Sequence, residues 1–79
     1  MSKLTLYHRV GCPYCEKVKN YLVRREISIP MKDTHADPAN TGELIKIGGR
    51  SQVPCLVIDG RALYESNDII QWFENNYAR

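Results

Sequence analysis

Two cysteines three residues apart, Cys12 and Cys15, are the side chains of this chain best placed to do chemistry; Pro13 and Tyr14 separate them. The apolar run Leu4-Thr5-Leu6-Tyr7 leads into the pair, and Val18, Tyr21 and Leu22 follow at one-face helical spacing. Cys12 therefore falls where a strand ends and a helix begins. The unpaired N–H groups of a helix's first turn, and its positive dipole end, stabilise an anion there. A thiolate is such an anion, and it is the form of cysteine that attacks disulfides. Cys15 lies one turn further on, near enough to close a disulfide with little backbone movement. Pro13 suits the first helical position, where its missing N–H costs nothing. The pattern predicts thiol–disulfide exchange. Structural zinc wants four ligands, usually from a second Cys or His pair. Cys55, His8 and His35 are scattered, so no metal site is expected.

The positioning elements must come from a short chain. Its 79 residues make one small domain, residues 1–79, and a hydrophobic fraction of 43% argues for a packed core and against disorder. The net charge is +2, with Lys and Arg interspersed among Asp and Glu, which argues against nucleic acid as a partner. Three cysteines do not make a disulfide framework. Met1-Ser2-Lys3 leads straight into a strand with no apolar leader, and no run is long enough to span a membrane. The expected setting is reducing and cytoplasmic, with no membrane association.

Residues 4–8 read as a first strand and residues 13–25 as an amphipathic helix. Ile27-Ser28-Ile29 alternates and reads as a second strand stopped by Pro30, with a polar loop over residues 33–36. Asp37-Pro38 opens a helix that Gly48-Gly49 ends. Residues 53–58 form an apolar run that reads as a buried strand. Asp59-Gly60 fits a tight hairpin turn, and residues 61–64 return antiparallel. Ser66 is placed to cap a last helix, with Asp68 in its first turn and Ile69, Ile70, Phe73 and Tyr77 on its core face. The order βαβαββα demands a parallel pair with a right-handed crossover, an antiparallel hairpin at one edge, and helices on both faces. The predicted class is α/β with a mixed four-stranded sheet.

This order, with CPYC after the first strand and Val53-Pro54 opening the third, is similar to the thioredoxin fold, and most closely resembles the glutaredoxin family over nearly the whole chain. The resemblance implies a glutathione-dependent oxidoreductase with Cys12 as nucleophile and Cys15 as resolving thiol. It implies a cis bond at Pro54, with Gln52, Val53 and Pro54 as one wall of a glutathione groove. There the Val53 backbone would pair with the cysteinyl part of glutathione. Ser66 and Asn67 would take the γ-glutamyl end, Arg9 the glycine carboxylate, and Tyr14 would pack beside the sulfur. A helix N-terminus is an anion site on general grounds. Glutathione is then a co-substrate, no cofactor is required, and the partners are disulfide-containing or glutathionylated proteins met by a monomer. The class works at about −200 to −230 mV, within reach of the cytosolic glutathione pool.

The chain departs from that family in three places: Tyr64-Glu65 stands where many members carry Gly-Gly, Gln52 where many carry Thr, and Cys55 where Gln is frequent. The stretch from Gln52 to Ile70 instead resembles the N-terminal domain of glutathione transferases, whose Glu-Ser pair holds the γ-glutamyl group. Glu65 joins the candidate ligands on that analogy. Two alternatives stand beside the main reading. One is a redoxin reduced by a thioredoxin reductase-type flavoenzyme. The other is a module that binds glutathione or an iron–sulfur cluster. A full transferase is not expected, since that family's helical second domain would begin where this sequence ends. Cys55, at the start of an apolar strand, is expected to be a buried bystander pointing away from Cys12.

Overall fold

The structure is a computed structural model that describes residues 3–77. Its elements run β1 (Leu4–His8), α1 (Pro13–Arg24), β2 (Met31–Asp33), α2 (Pro38–Gly48), β3 (Cys55–Ile58), β4 (Arg61–Tyr64) and α3 (Ser66–Asn76). The sheet order is β2-β1-β3-β4. β1 pairs parallel with β2 and antiparallel with β3, and β3 pairs antiparallel with β4. This is the mixed four-stranded α/β sheet that the sequence implies.

Side chains alternate across the sheet and build two cores. On one face Leu4, Leu6 and Leu56 pack with Val18, Tyr21 and Leu22 of α1 and with Ile69 and Phe73 of α3. On the other, Tyr7, Cys55 and Val57 pack with Leu44 of α2. Each helical layer is pinned by a tyrosine that shares a carboxylate with a cation. The Tyr21 hydroxyl donates to Glu74 on α3, and Arg25 reaches the same carboxylate at 2.6 Å. The Tyr7 hydroxyl donates to Glu43 on α2 at 3.0 Å, and Lys32 meets it at 2.6 Å. Both tyrosine hydroxyls are held in the neutral form, first by burial and then by the adjacent carboxylate.

The second strand lies later than the Ile27-Ser28-Ile29 pattern predicts. Arg24 is the last helical residue, and the chain closes α1 with the amides of Glu26 and Ile27 bonded to the carbonyls of Val23 and Leu22. Glu26 takes the left-handed conformation, φ 56°, that glycine commonly supplies at this position. Ile27 and Ile29 pack on the α1–α3 core from this exit, not from a strand. Pairing starts once the Pro30 carbonyl accepts from the Leu6 amide at 3.0 Å, and Asp33, expected in the loop, ends β2. Pro30 stands just before this edge strand, where no partner needs its missing donor.

Two further expectations change at α3. Ser66 lies inside the helix and is buried, and Glu65 is the residue before it, with no side-chain cap. Tyr77 lies past the helix end and is half exposed, its ring 5.4 Å from Phe73. The hairpin follows the sequence: Asp59 and Gly60 both have positive φ, 50° and 85°, as the two-residue turn demands. Asp37 caps α2 by accepting from the Ala39 amide at 3.0 Å.

Two glycines of α2 differ in what their missing side chains spare. A Cβ on Gly48 would sit 2.0 Å from the Tyr64 hydroxyl oxygen and 2.8 Å from the Ala62 Cβ, so α2 crosses β4 through that bare backbone. A Cβ on Gly42 would meet nothing within 4 Å. Gly48→Ala should therefore destabilise the protein by about 1–3 kcal/mol through overpacking. Gly42→Ala should leave stability unchanged or raise it by up to ~1 kcal/mol, since alanine is the better helix former. Urea midpoints of the two variants against the parent check the opposite signs.

Candidate active site and thiol groove

The four-residue turn from β1 into α1, Arg9 to Cys12, carries Cys12 to the helix start and tucks Cys15 beneath it. Cys12 is the N-cap residue, in extended conformation with Pro13 following as the first helical residue. It is partly exposed, whereas Cys15 is fully buried on the α1 face that carries Val18 and Leu22. Neither is in a disulfide.

Their acidities diverge for stated reasons. Partial burial opposes a Cys12 thiolate, but the Cys15 amide and thiol, the Tyr14 amide and the Arg9 charge all favour it and together hold Cys12 below the usual thiol range. Cys15 is pushed up to about 12, first by burial, then because its thiol donates to Cys12 and faces that group's charge. The first proton the pair loses is therefore that of the outer sulfur, Cys12.

Beside Cys12 lies a groove in three lobes that meet at Val53. One lobe, about 410 Å³, is lined by Tyr14, Gln52, Val53, Pro54, Glu65, Ser66 and Asn67. These are seven of the eight residues that the glutaredoxin and transferase resemblances together assign to glutathione. The eighth, Arg9, lines the central lobe of about 290 Å³ with Val10, Gly11, Cys12 and Val53. A third lobe lies between Arg9 and α2. The Val53–Pro54 peptide bond is cis, as the resemblance implies. Among the described residues, pairing of β3 with either neighbour begins only at Cys55, so the Val53 backbone belongs to no ladder.

Two pairings in the first lobe were not legible in the sequence. Gln52 Nε2 donates to the Glu65 carboxylate at 2.7 Å, and Lys17 Nζ donates to Asn67 Oδ1 at 2.5 Å. Thirteen and fifty residues separate the partners. Lys17 thus brings a cation to the start of α3 that no motif announces. Glu65 holds φ at 73°, a left-handed conformation that favours glycine. Non-glycine residues in such conformations cluster at ligand sites, where surrounding contacts hold them. Here Gln52 supplies one such contact.

Other reactive side chains stand apart from this site. Cys55 is fully buried in the opposite core with Tyr7, Leu44 and Val57, and burial pushes its thiol up to about 11. His8 is buried at the end of β1, its Nδ1 has no hydrogen-bond partner, and burial holds the imidazole below its usual value. Among the described residues no three His, Cys, Asp or Glu side chains converge to hold a metal ion, and no helix is long and apolar enough to cross a membrane.

Comparison with known proteins agrees with the geometry. Glutaredoxin 3 of Escherichia coli strain K12 is 29% identical over 69 residues, covering 87% of this chain and 83% of the relative. Among solved structures, glutathione transferase Omega 3C from Trametes versicolor superposes with a TM-score of 0.83 at 26% identity over 98% of this chain. Glutaredoxin C1 from Populus tremula x tremuloides, at 19% identity and a TM-score of 0.72 over 96% of this chain and 78% of its own, shares the fold. The chain spans only 34% to 38% of the length of the transferases it matches. The family model for the glutathione S-transferase N-terminal domain matches residues 6–79. With a CPYC dithiol at the start of α1 and a Glu-Ser pair at the start of α3, this chain belongs to the glutathione S-transferase N-terminal domain family and is a glutaredoxin-like member of the thioredoxin fold.

Proposed function

We propose that this protein is a dithiol glutaredoxin, reducing protein disulfides and glutathionylated thiols at the expense of glutathione. The observation that carries the reading is the split in acidity of Cys12 and Cys15 at the mouth of a groove ending on the α3 N-terminus. An exposed low-pKa thiol above a buried high-pKa thiol is what a two-step exchange needs.

The Cys12 thiolate attacks one sulfur of a client disulfide. A bond forms between the Cys12 sulfur and that sulfur, the old S–S bond breaks, and the second client sulfur leaves as a thiolate that takes a proton from water. Cys12 is now uncharged. Two of the influences that raised Cys15, the hydrogen bond to Cys12 and the Cys12 charge, disappear with it. Cys15 can then lose its proton and attack the Cys12 sulfur, expelling the reduced client. Glutathione thiolate opens the Cys12–Cys15 disulfide at Cys12. A second glutathione attacks the sulfur of the first, releasing oxidised glutathione and the Cys12 thiolate. The balance is one client disulfide and two glutathiones in, one client dithiol and one oxidised glutathione out. Glutathionylated substrates need Cys12 alone.

Several groove features support glutathione as the reductant. The unladdered Val53 backbone can accept the cysteinyl residue as a short β-bridge. Ser66 and Asn67 offer the first amides of α3 to a carboxylate, and Glu65, steadied by Gln52, faces the α-amine of the γ-glutamyl group. Arg9, exposed and in no ion pair among the described residues, meets the glycine carboxylate. No metal or organic cofactor enters this cycle. The family match favours a second reading, transfer of glutathione to an electrophile. The same assay with an aromatic halide in place of the disulfide separates the two.

Turnover of a glutathionylated peptide with glutathione, glutathione reductase and NADPH tests the main reading. Cys12→Ser should abolish it. Cys15→Ser should retain it within about fivefold, a barrier change of ~1 kcal/mol, while losing reduction of a protein disulfide. Loss of both activities in Cys15→Ser would exclude the single-thiol route.

Because Cys12 is lowered and Cys15 and Cys55 are raised, thiolate should be present on Cys12 alone as pH rises from acid to neutral. Iodoacetamide labelling followed by mass spectrometry at stepped pH should show Cys12 titrating below the ~8.5 of a free thiol, with Cys15 and Cys55 inert through pH ~9. Labelling of Cys15 first would reverse the assignment of nucleophile.

Ser66→Ala and Arg9→Ala should raise KM for the glutathionylated peptide and leave reaction with a small neutral disulfide unaffected. Ser66 is buried, so its loss should cost about 1–2 kcal/mol. Arg9 is exposed, and its loss should cost less than ~1 kcal/mol. Equal effects on both substrates would assign these residues to the fold.

A further inference from the structure

The third lobe of the groove is larger than the proposed function uses. It occupies about 440 Å³ and is lined by Arg9, Thr34, Thr41, Gly42, Ser51 and Val53, among others. It joins the central lobe through Arg9 and Val53, on the far side of Cys12 from the α3 N-terminus. On the placement proposed above, with the γ-glutamyl end on α3 and the glycine carboxylate at Arg9, no part of glutathione is assigned to Thr34, Thr41, Gly42 or Ser51 of this lobe.

Part of the lobe's lining, Gly42, is bare for no packing reason. Gly42 sits inside α2, where glycine costs up to ~1 kcal/mol against alanine. Its missing Cβ would meet nothing within 4 Å. Gly48 of the same helix is excused by the crossing of β4, whereas Gly42 has no such excuse. What its bareness does is leave the lobe open.

The polar groups around the lobe suit a peptide. The Thr34 hydroxyl donates to the His8 carbonyl at 3.2 Å and the Thr41 hydroxyl to the Thr34 carbonyl at 3.0 Å, so both keep lone pairs for an incoming N–H. The neighbouring carboxylates are turned to their own backbone. Asp33 accepts from the His35 and Ala36 amides at 2.8 and 3.1 Å, and Asp37 accepts from Ala39. Among the described residues, no Asp or Glu lines the lobe beside Arg9.

We propose that Gly42 is a specificity residue: it holds open a subsite for the residues that follow a substrate's disulfide-bonded cysteine. The protein therefore accepts polypeptide disulfides extended past the position of the glutathione glycine. This rests on the thiol-exchange reading above. The chemistry is unchanged. Cys12 bonds to the peptide cysteine sulfur, the peptide's S–S bond breaks, and the other thiol leaves as its thiolate.

The test uses two probes, each a mixed disulfide with an aromatic thiol whose thiolate is coloured on release. One carries glutathione. The other carries glutathione lengthened at its carboxylate by Gly-Ser-amide. The parent protein should turn over the lengthened probe with a kcat/KM within about threefold of the glutathione probe, ~0.7 kcal/mol. Gly42→Leu should lower the ratio of lengthened to glutathione kcat/KM by about tenfold or more, through KM. Its melting midpoint should be at or above the parent's. Ser51→Trp fills the lobe from the loop before β3 and should lower the same ratio. A parent that refuses the lengthened probe while consuming the glutathione probe overturns the proposal, and so does a ratio that neither folded variant moves. A parent that consumes neither probe overturns the thiol-exchange reading, and this subsite with it.

Discussion

Cys15 has no exposed surface, and the rest of the site follows from that burial. To seat it, α1 must start immediately above the end of β1 and lay Val18, Tyr21 and Leu22 on the same core. The turn that remains, Arg9 to Cys12, is then too short to let Cys12 sink as well. One thiol is held where its charge would be unsolvated, and the other where amides and a guanidinium converge. The asymmetry of the pair is thus a packing result before it is an electrostatic one.

The two faces of the sheet use one device at different places. Tyr21 with Glu74 and Arg25 ties α1 to α3, and Tyr7 with Glu43 and Lys32 ties α2 to the central strand. In each, a buried aromatic ring carries its hydroxyl to the rim and shares an exposed carboxylate with a cation. Exposed pairs of this kind add little to stability by themselves. Their effect is to fix where the helices lie, and so where the α3 N-terminus stands relative to Cys12. The groove depends on that placement, because its walls come from α1, the loop before β3, and the first residues of α3.

Cys55 and His8 show how a sheet separates chemically similar groups. Both lie near the dithiol in sequence or strand register, yet alternation sends Cys55 into the α2-side core, where burial suppresses its thiolate. His8 shares the α1-side face with Leu6 and is buried with an unpartnered nitrogen. The structure accounts for its reduced basicity by burial; it offers no partner for that atom.

Much of this protein could be read from local pattern. The strand, cysteines and proline that open α1, the Asp37-Pro38 start of α2, the Asp59-Gly60 turn and the apolar run of β3 each carry their signal within a few residues. The resemblance carried by CPYC and Val53-Pro54 also named six of the residues that line one lobe and Arg9 beside it, and the transferase-like Glu-Ser pair added Glu65. Tertiary structure decided what no short window contains. Ile27-Ser28-Ile29 alternates like a strand, but Glu26 closes the helix in a glycine-like conformation without being glycine, so pairing waits until Pro30. Ser66 is buried inside α3 instead of capping it. The Gln52–Glu65 and Lys17–Asn67 pairings, and the open lobe at Gly42, join segments far apart in the chain. Local sequence specifies backbone preference and the period of burial; which distant side chains then face one another is set by how the helices dock on the sheet.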